Sequence, residues 1–158
     1  MNPIELARAF DARGVQYCVV GGVAATMHGV VRDTFDLDVL LVPSAANLQA
    51  AALALRDVRL RPHVPIELTD LSSADVRRQL REERNLIAVG FIDASDPFRR
   101  VDILLDGPFE VADVVARAVD RAGVKVISAP DLIVMKRAAG RPKDLDDAEW
   151  LVRLEQES

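Results

Sequence analysis

The chain has 158 residues and a formal net charge of −5, with 25 acidic and 20 basic side chains. A chain of this length buries roughly 70% of the surface that its unfolded form exposes, which is enough for one domain with its own core. The acidic balance excludes the broad basic field of a dedicated nucleic-acid binder, and no segment has the roughly 20 apolar residues that a membrane-spanning helix requires. We therefore expect a single domain over residues 1–158, located in the cytoplasm and without a membrane partner.

Apolar spacing, glycines and prolines predict regular elements along the whole chain. In chain order they are a helix at 4–10, a strand at 17–20, a helix at 24–28, a strand at 36–42, a helix at 45–55, an irregular segment at 62–65, a helix at 73–84, strands at 86–92 and 100–105, a helix at 111–119, an edge strand at 124–127, a helix at 128–140 and a last helix from about 142. The strands at 86–92 and 100–105 are expected to pair antiparallel. Ser44 and Ser128 should cap helices, and Cys18 should be a buried thiol.

Two carboxylates share one face of the second strand. Asp36 and Asp38 are one residue apart, and alternate side chains of a strand point the same way. Two like charges in a mostly apolar sheet are unfavourable unless a cation neutralises them, and Mg²⁺ prefers oxygen ligands of this kind. Asp102, in a later apolar strand, is a candidate third ligand. The pattern therefore predicts a site for Mg²⁺ or Mn²⁺, with an exposed turn or cap residue as the alternative for any one Asp.

Small and polar residues before this pair are candidates for phosphate contacts. Gly21-Gly22 lies between a strand and a helix, where small residues let phosphate oxygens approach backbone N–H groups. A purely structural tight turn is the alternative. Arg32 and Thr34 lie in the following loop and are further candidates, with solvated loop residues as their alternative. His28 is expected to be a capping or hydrogen-bonded residue, because one histidine without neighbouring ligands makes no zinc site.

The last two predicted helices carry basic candidates. Lys136 belongs to an apolar stripe at helical spacing, so it is expected to face inward and to need an anionic partner. That partner is either a triphosphate or an Asp in a structural salt bridge. Lys143 and Asp144 follow at the start of the last helix. The inward side of that helix is expected to carry Leu145, Ala148, Leu151 and Val152.

The order and spacing of these motifs resemble the nucleotidyltransferase superfamily. Its pattern is an apolar strand, Gly-Gly or Gly-Ser, an Asp-x-Asp strand and a later single Asp, here Gly21-Gly22, Asp36-Leu37-Asp38 and Asp102. The resemblance covers a core at about 15–106, followed by a C-terminal helical part at about 128–156. It implies the nucleotidyltransferase fold of the DNA polymerase beta-like kind, which is an α/β (α+β) domain with a mixed central sheet flanked by helices. Because Gly22 has no hydroxyl, backbone groups must make the phosphate contacts there.

A narrower set of residues resembles the small bacterial branch that includes toxins of the AbiEii and MenT kind. The set comprises Gly21-Gly22-Val23-Ala24, His28-Gly29, Arg32, Thr34, Asp131-Leu132 through Lys136, and Arg141-Pro142-Lys143-Asp144 to Asp147. The branch implies transfer of a nucleoside monophosphate from an NTP such as ATP to a hydroxyl on tRNA or protein, with an antitoxin as a partner.

Two alternatives to the toxin interpretation stay open. One is an antibiotic-type enzyme that modifies a small molecule, and the other is a catalytically weak nucleotide-binding or interaction module of the same fold. In an active enzyme the acceptor hydroxyl attacks the α-phosphorus in line and pyrophosphate leaves. Asp102 is then either the general base or a metal ligand alone.

Overall fold

A seven-stranded mixed sheet forms the centre of the molecule in a computed structural model that describes residues 1–84 and 88–158. Its strands are β1 (Tyr17–Val20), β2 (Leu37–Leu41), β3 (Arg61–Pro62), β4 (Val89–Asp93), β5 (Asp96–Leu104), β6 (Val119–Arg121) and β7 (Val124–Val126). They are arranged in the order β3-β4-β5-β2-β1-β7-β6. The β2–β5 and β1–β7 pairs are parallel, and the other neighbours are antiparallel.

Helices flank this sheet. They are α1 (Pro3–Ala12), α2 (Gly21–Met27), α3 (Ala45–Asp57), α4 (Ala74–Arg84), α5 (Val111–Ala116), α6 (Ala129–Ala139) and α7 (Pro142–Glu157), with a 3-10 turn at Leu68–Ser72. The predicted caps are confirmed, because the hydroxyls of Ser44 and Ser128 accept backbone N–H groups at the starts of α3 and α6. Gly140 ends α6 in the left-handed conformation, with φ of 70°. The described helices include none with the length and apolar character that a bilayer crossing demands.

The register of the central strands places three chain segments side by side. Val20 at the end of β1 is opposite Asp38, and Asp38 is opposite Asp102 on β5. The rest of β2 is buried, so Asp38 is the one partly exposed side chain of that strand. β1 is buried throughout, and burial raises the pKa of Cys18 to about 12, so its thiol is protonated. The apolar strands therefore hold the carboxylates at a fixed position in the sheet.

The predicted edge strand at 124–127 is wrong in its position, because β7 lies between β1 and β6. The predicted helix at 111–119 is also too long, since it ends at Ala116 and Val119 begins β6. Ala122 and Gly123 both have positive φ, 54° and 85°, in a two-residue turn that joins β6 to β7. Turns of this kind match the twist of paired strands. The hairpin therefore overrides the helical spacing of the apolar residues.

Other predicted boundaries shift by a few residues. Gly21-Gly22 forms the first turn of α2, and Asp36 immediately precedes β2. β5 begins at Asp96, earlier than predicted, and pairs antiparallel with β4 as predicted. The strand predicted at 86–92 begins at Val89 in the structure, and its residues 86 and 87 lie outside the described residues. These shifts leave the order of the motifs unchanged.

We expect Asn47→Ala to lower the free energy of unfolding by about 2 kcal/mol. The buried amide of Asn47 donates to the carbonyls of Gln16 at 2.9 Å and Val42 at 2.7 Å, and it accepts from the N–H of Gln16 at 2.8 Å. The variant leaves these backbone groups without their partner. Urea denaturation measures the effect, and Gln49→Ala on the exposed side of the same helix is the control, expected within about 0.5 kcal/mol of wild type. Equal stability of the two variants would contradict this anchoring role.

Candidate functional site

One open cleft contains every residue that the sequence predicted for the site. Its volume is about 1010 Å³, counting the solvent space at its mouth. The predicted residues that line it are Gly21, Gly22, Arg32, Thr34, Asp36, Asp38, Asp102, Lys136, Lys143 and Asp144. It is also lined by Asp33, Phe35, Ala88, Leu104 and Arg141. The fold thus brings together segments from both ends of the chain, and the chemical roles of these residues stay predictions.

The negative wall of the cleft is centred on Asp38. Burial raises the pKa of this carboxyl to about 6, and the nearby charges of Asp102 and Asp36 raise it further, against the opposing effects of Lys136 and Arg141. Asp36 itself is exposed. Asp38 therefore lies in a local excess of negative charge, which is the condition that a bound cation relieves.

Asp102 has a cationic partner of its own. The Nη2 of Arg100 lies 3.1 Å from Asp102 Oδ1, and its Nε lies 3.4 Å from the same oxygen. Over residues 1–84 and 88–158, no group of three or more His, Cys, Asp or Glu side chains is arranged to hold a metal ion. Asp36, Asp38 and Asp102 line one cleft, and their role as metal ligands stays a prediction.

The two glycines let the strand and the loop approach α2 closely. Gly21 has φ of 70°, and a Cβ there would lie 2.3 Å from Asp38 Oδ2. A Cβ on Gly22 would lie 2.7 Å from Thr34 Oγ1. Any side chain at either position would displace a residue of the cleft. The structure therefore requires glycine for packing, and phosphate contact by the N–H groups of Gly21 and Gly22 stays a prediction.

The opposite wall is a network of three cations and two buried carboxylates. The Nζ of Lys136 lies 3.0 Å from Asp147 Oδ2 and 3.5 Å from Asp144 Oδ1. Arg141 donates to Asp144 over 2.6 Å, and Arg32 pairs with Asp147. Burial alone raises the pKa of Asp144, but the hydrogen bond from Arg141 and the charge of Lys136 hold it below its ordinary value. We call these five side chains the cationic wall.

The cationic wall supplies the anionic partner that an inward-facing Lys136 needs. The lysine is buried, as predicted, and its partners in the structure are Asp residues, which is the salt-bridge alternative. The three positive and two negative charges still leave one net positive charge, and Lys136 and Arg141 act electrostatically on Asp38. The same pairs correct the orientation of α7, because burial of Asp144 and Asp147 turns Leu145 outward, where it is 48% exposed.

Sequence reasoning named Arg141 and Asp147 only as part of the C-terminal motif and gave them no role in the site, and it missed Arg100. Asp147 follows Asp144 by three residues, so both lie on one helical face, and Arg141 directly precedes that helix. Arg100 is two residues before Asp102 and so projects from the same face of β5. These spacings were available signals. His28, by contrast, follows the expectation, because its Nε2 donates to the carbonyl of Ile127 over 2.7 Å.

Comparison with models of protein families gives no match for this chain, and neither does comparison with curated proteins. Among solved structures, the chain is similar to the solution structure of the antibiotic-resistance factor ANT(2'')-Ia, a nucleotidyltransferase. The sequence identity is 14% and the TM-score is 0.55, with 95% of this chain and 78% of that chain covered. At this identity the likeness shows the fold alone. The predicted fold, a nucleotidyltransferase-like mixed sheet flanked by helices, is confirmed.

We expect Asp38→Asn to stabilise the metal-free protein at pH 8. The folded-state pKa of about 6 lies above the ordinary value of 3.8. The folded form therefore holds a proton that the unfolded form releases between these two pH values, and stability falls as the pH rises through that window. The difference corresponds to on the order of 3 kcal/mol above pH 6, which the Asn variant avoids.

Urea denaturation at pH 8 and near pH 4 measures this gain. We expect about 1–3 kcal/mol at pH 8 and a much smaller difference near pH 4, where the wild-type carboxyl is largely protonated. Asp146→Asn, at an exposed position of α7, serves as the control and should show neither effect. A gain that is the same at both pH values would contradict the assignment to the buried charge.

We expect Lys136→Met to lower the free energy of unfolding by about 3 kcal/mol, because it leaves two buried carboxylates without their shared cation. Arg137→Met removes the same charge from the next, exposed position of α6 and should change stability by less than about 0.5 kcal/mol. Denaturant melts of both variants measure the difference. Similar losses of unfolding free energy in the two variants would show that Lys136 stabilises the protein only through the net charge and not through its buried ion pairs.

Proposed function

We propose that the protein is a metal-dependent nucleotidyltransferase that moves a nucleoside monophosphate from an NTP to an acceptor hydroxyl. The observation that carries the proposal is that acidic and basic side chains line the same cleft and lie close enough to affect one another. Asp38 and Asp102 are neighbours in the register of β2 and β5, and Lys136 and Arg141 act electrostatically on Asp38 from the cationic wall. The nucleotidyltransferase fold supports the same class of reaction. The reaction is expected in the cytoplasm, where nucleoside triphosphates are supplied.

Asp36, Asp38 and Asp102 are the residues that would hold Mg²⁺ or Mn²⁺. The chemistry of the donors suits a hard divalent cation, because all three are carboxylates. Burial, followed by the charges of Asp102 and Asp36, raises the pKa of Asp38, so a bound cation would stabilise its charged form. When bound, the cation supplies charge neutralisation at the phosphates and lowers the pKa of the attacking hydroxyl. Asp102 would either accept the proton of that hydroxyl or act as a metal ligand alone.

The cationic wall would bind the triphosphate. Lys136 is fixed by two carboxylates, so its charge is preorganised and needs little rearrangement when an anion binds. Arg141 and Lys143 are exposed at the start of α7, so Lys143 would reach phosphate oxygens directly and Arg141 would offer the N–H groups that Asp144 does not accept. Asp144 orients Arg141 and Lys136. Arg32, held by Asp147, adds a charge from the loop before β2.

Thr34 and the glycine backbone would complete the phosphate contacts. The side chain of Thr34 approaches Gly22 closely, and Gly21 lies against Asp38. The hydroxyl of Thr34 and the N–H groups of Gly21 and Gly22 would donate hydrogen bonds between the two charged walls. Positioning and fixed charges would then provide most of the catalysis, since in-line transfer demands little covalent chemistry from the protein.

Two acceptor classes fit this reaction. The resemblance to AbiEii and MenT toxins favours tRNA or a protein, with an antitoxin as partner, and it rests on the sequence motifs. The net charge of −5 favours a small molecule over a polyanionic acceptor. The likeness to an antibiotic-resistance factor favours the same class. A small molecule is therefore the acceptor that we would test first, with tRNA and protein alongside.

The test uses NTPs labelled at the α-phosphate, Mg²⁺, and separate acceptor samples of aminoglycosides, tRNA and cell protein. We expect label in one acceptor class and release of pyrophosphate. Asp36→Asn and Asp38→Asn should lower transfer by about 100-fold or more, because each removes a ligand charge with little change in volume. Asp146→Asn is the control and should retain wild-type transfer.

The outcomes separate the competing functions. Wild-type transfer by Asp38→Asn would refute the assignment of the carboxylates. Binding of NTP without transfer to any acceptor class would identify the catalytically weak module. The class that receives label distinguishes a small-molecule enzyme from a toxin acting on tRNA or protein.

A further inference from the structure

Arg100 is bound to the carboxylate that the proposed function assigns to the metal. Its side chain and that of Asp102 project from the same face of β5, two residues apart. Both Nη2, at 3.1 Å, and Nε, at 3.4 Å, approach the single oxygen Oδ1. One oxygen of Asp102 is therefore already occupied by a fully charged group, whereas Asp38 makes no ion pair with any described residue.

The neighbouring strand leaves room for this pair. Gly90 on β4 is directly opposite Asp102 in the antiparallel register. A Cβ at Gly90 would lie 3.3 Å from Arg100 Nη2 and 3.3 Å from Asp102 Oδ1, which is closer than ordinary van der Waals contact. The surface of β4 at this position is therefore flat, and the guanidinium lies over it. Sequence and backbone together accommodate the ion pair beside the cleft.

We propose that Arg100 is a positioning residue that holds Asp102 in the absence of a divalent cation and competes with the cation for this carboxylate. The inference rests on the proposed function, because the cation is the one assigned to Asp36, Asp38 and Asp102. A guanidinium on Oδ1 blocks one ligand position and repels a divalent ion a few ångströms away. Arg100 therefore lowers the affinity of the cleft for the cation.

The ion pair between Arg100 and Asp102 is exposed enough for water or a cation to replace Arg100. Side-chain exposure is 47% for Arg100 and 20% for Asp102, so water screens their attraction and can replace it. A half-exposed ion pair of this kind contributes little stability, which means that removing Arg100 should not unfold the protein. The effect on cation binding is therefore measurable in a folded variant.

The experiment titrates Mn²⁺ into nucleotide-free protein at fixed ionic strength and measures free Mn²⁺ by electron paramagnetic resonance. We expect Arg100→Gln to bind Mn²⁺ about five-fold more tightly than wild type, the size of effect that one partly screened charge produces. Arg100→Lys keeps the positive charge and should stay within about two-fold of wild type. Asp38→Asn should lose most of the binding.

Arg78→Gln is the matched control. The Nη2 of Arg78 lies 2.9 Å from Asp75 Oδ1 on α4, and neither residue lines the cleft, so the variant removes an equal charge from an exposed ion pair elsewhere. We expect its Mn²⁺ affinity to stay within about two-fold of wild type. A rise equal to that of Arg100→Gln would assign the effect to net charge and overturn the proposal.

Two further results distinguish this inference from the proposed function. If Asp38→Asn loses Mn²⁺ binding but Arg100→Gln binds no more tightly than wild type, the positioning role is overturned and the metal site stands. If wild type does not bind Mn²⁺, or Asp38→Asn binds it unchanged, the metal site of the proposed function fails, and the role of Arg100 fails with it.

Discussion

The pairing of β2 with β5 controls the position of the negative charges of Asp38 and Asp102 in the cleft. Leu37, Val39 and Leu40 require burial, so β2 must lie in the middle of the sheet, and its register with β5 places Asp38 beside Asp102. A slip by one residue would move Asp38 to the face that Leu37 and Val39 occupy and bury the carboxylate in the core. The hydrophobic pattern therefore fixes the negative charges. The close approach of Gly21 to Asp38 follows from the same register, because Val20 is opposite Asp38.

The positive charges are fixed by a different means. Asp144 and Asp147 are buried on α7, and burial of a carboxylate is costly unless a cation satisfies it. Lys136 from α6 meets both, and Arg32, 115 residues before Asp147 in the chain, pairs with the second. These contacts join the loop before β2 to the C-terminal helices. They also determine which side of α7 faces inward, so stability and the electrostatics of the cleft depend on the same side chains.

The sequence predicted local features better than distant contacts. The helical spacing of Lys136 was sufficient to predict its burial, and the motif order predicted the fold. Asp36 and Asp38 line one cleft, but Asp36 precedes β2, so the period of two within a strand does not describe both side chains. The exposure of Leu145 could not be predicted from apolar spacing, because ion pairs with another helix set the phase of α7. The β6–β7 hairpin was missed for a related reason. Its turn depends on positive φ at Ala122 as well as at Gly123, and only the glycine signals such a turn.

Lys136 and Arg100 differ in how easily another group can replace them beside their carboxylate partners. Lys136 and the carboxylates that it contacts are almost wholly buried, so an incoming anion meets a charge that is already oriented. The pair of Arg100 and Asp102 is partly exposed, and its partner oxygen belongs to the negative wall. A cation bound there as proposed would therefore compete with a group that water can readily solvate. The cleft thus combines a buried and already oriented positive side with a negative side whose counter-ion is partly exposed, and the proposed metal-assisted nucleotidyl transfer would use this asymmetry.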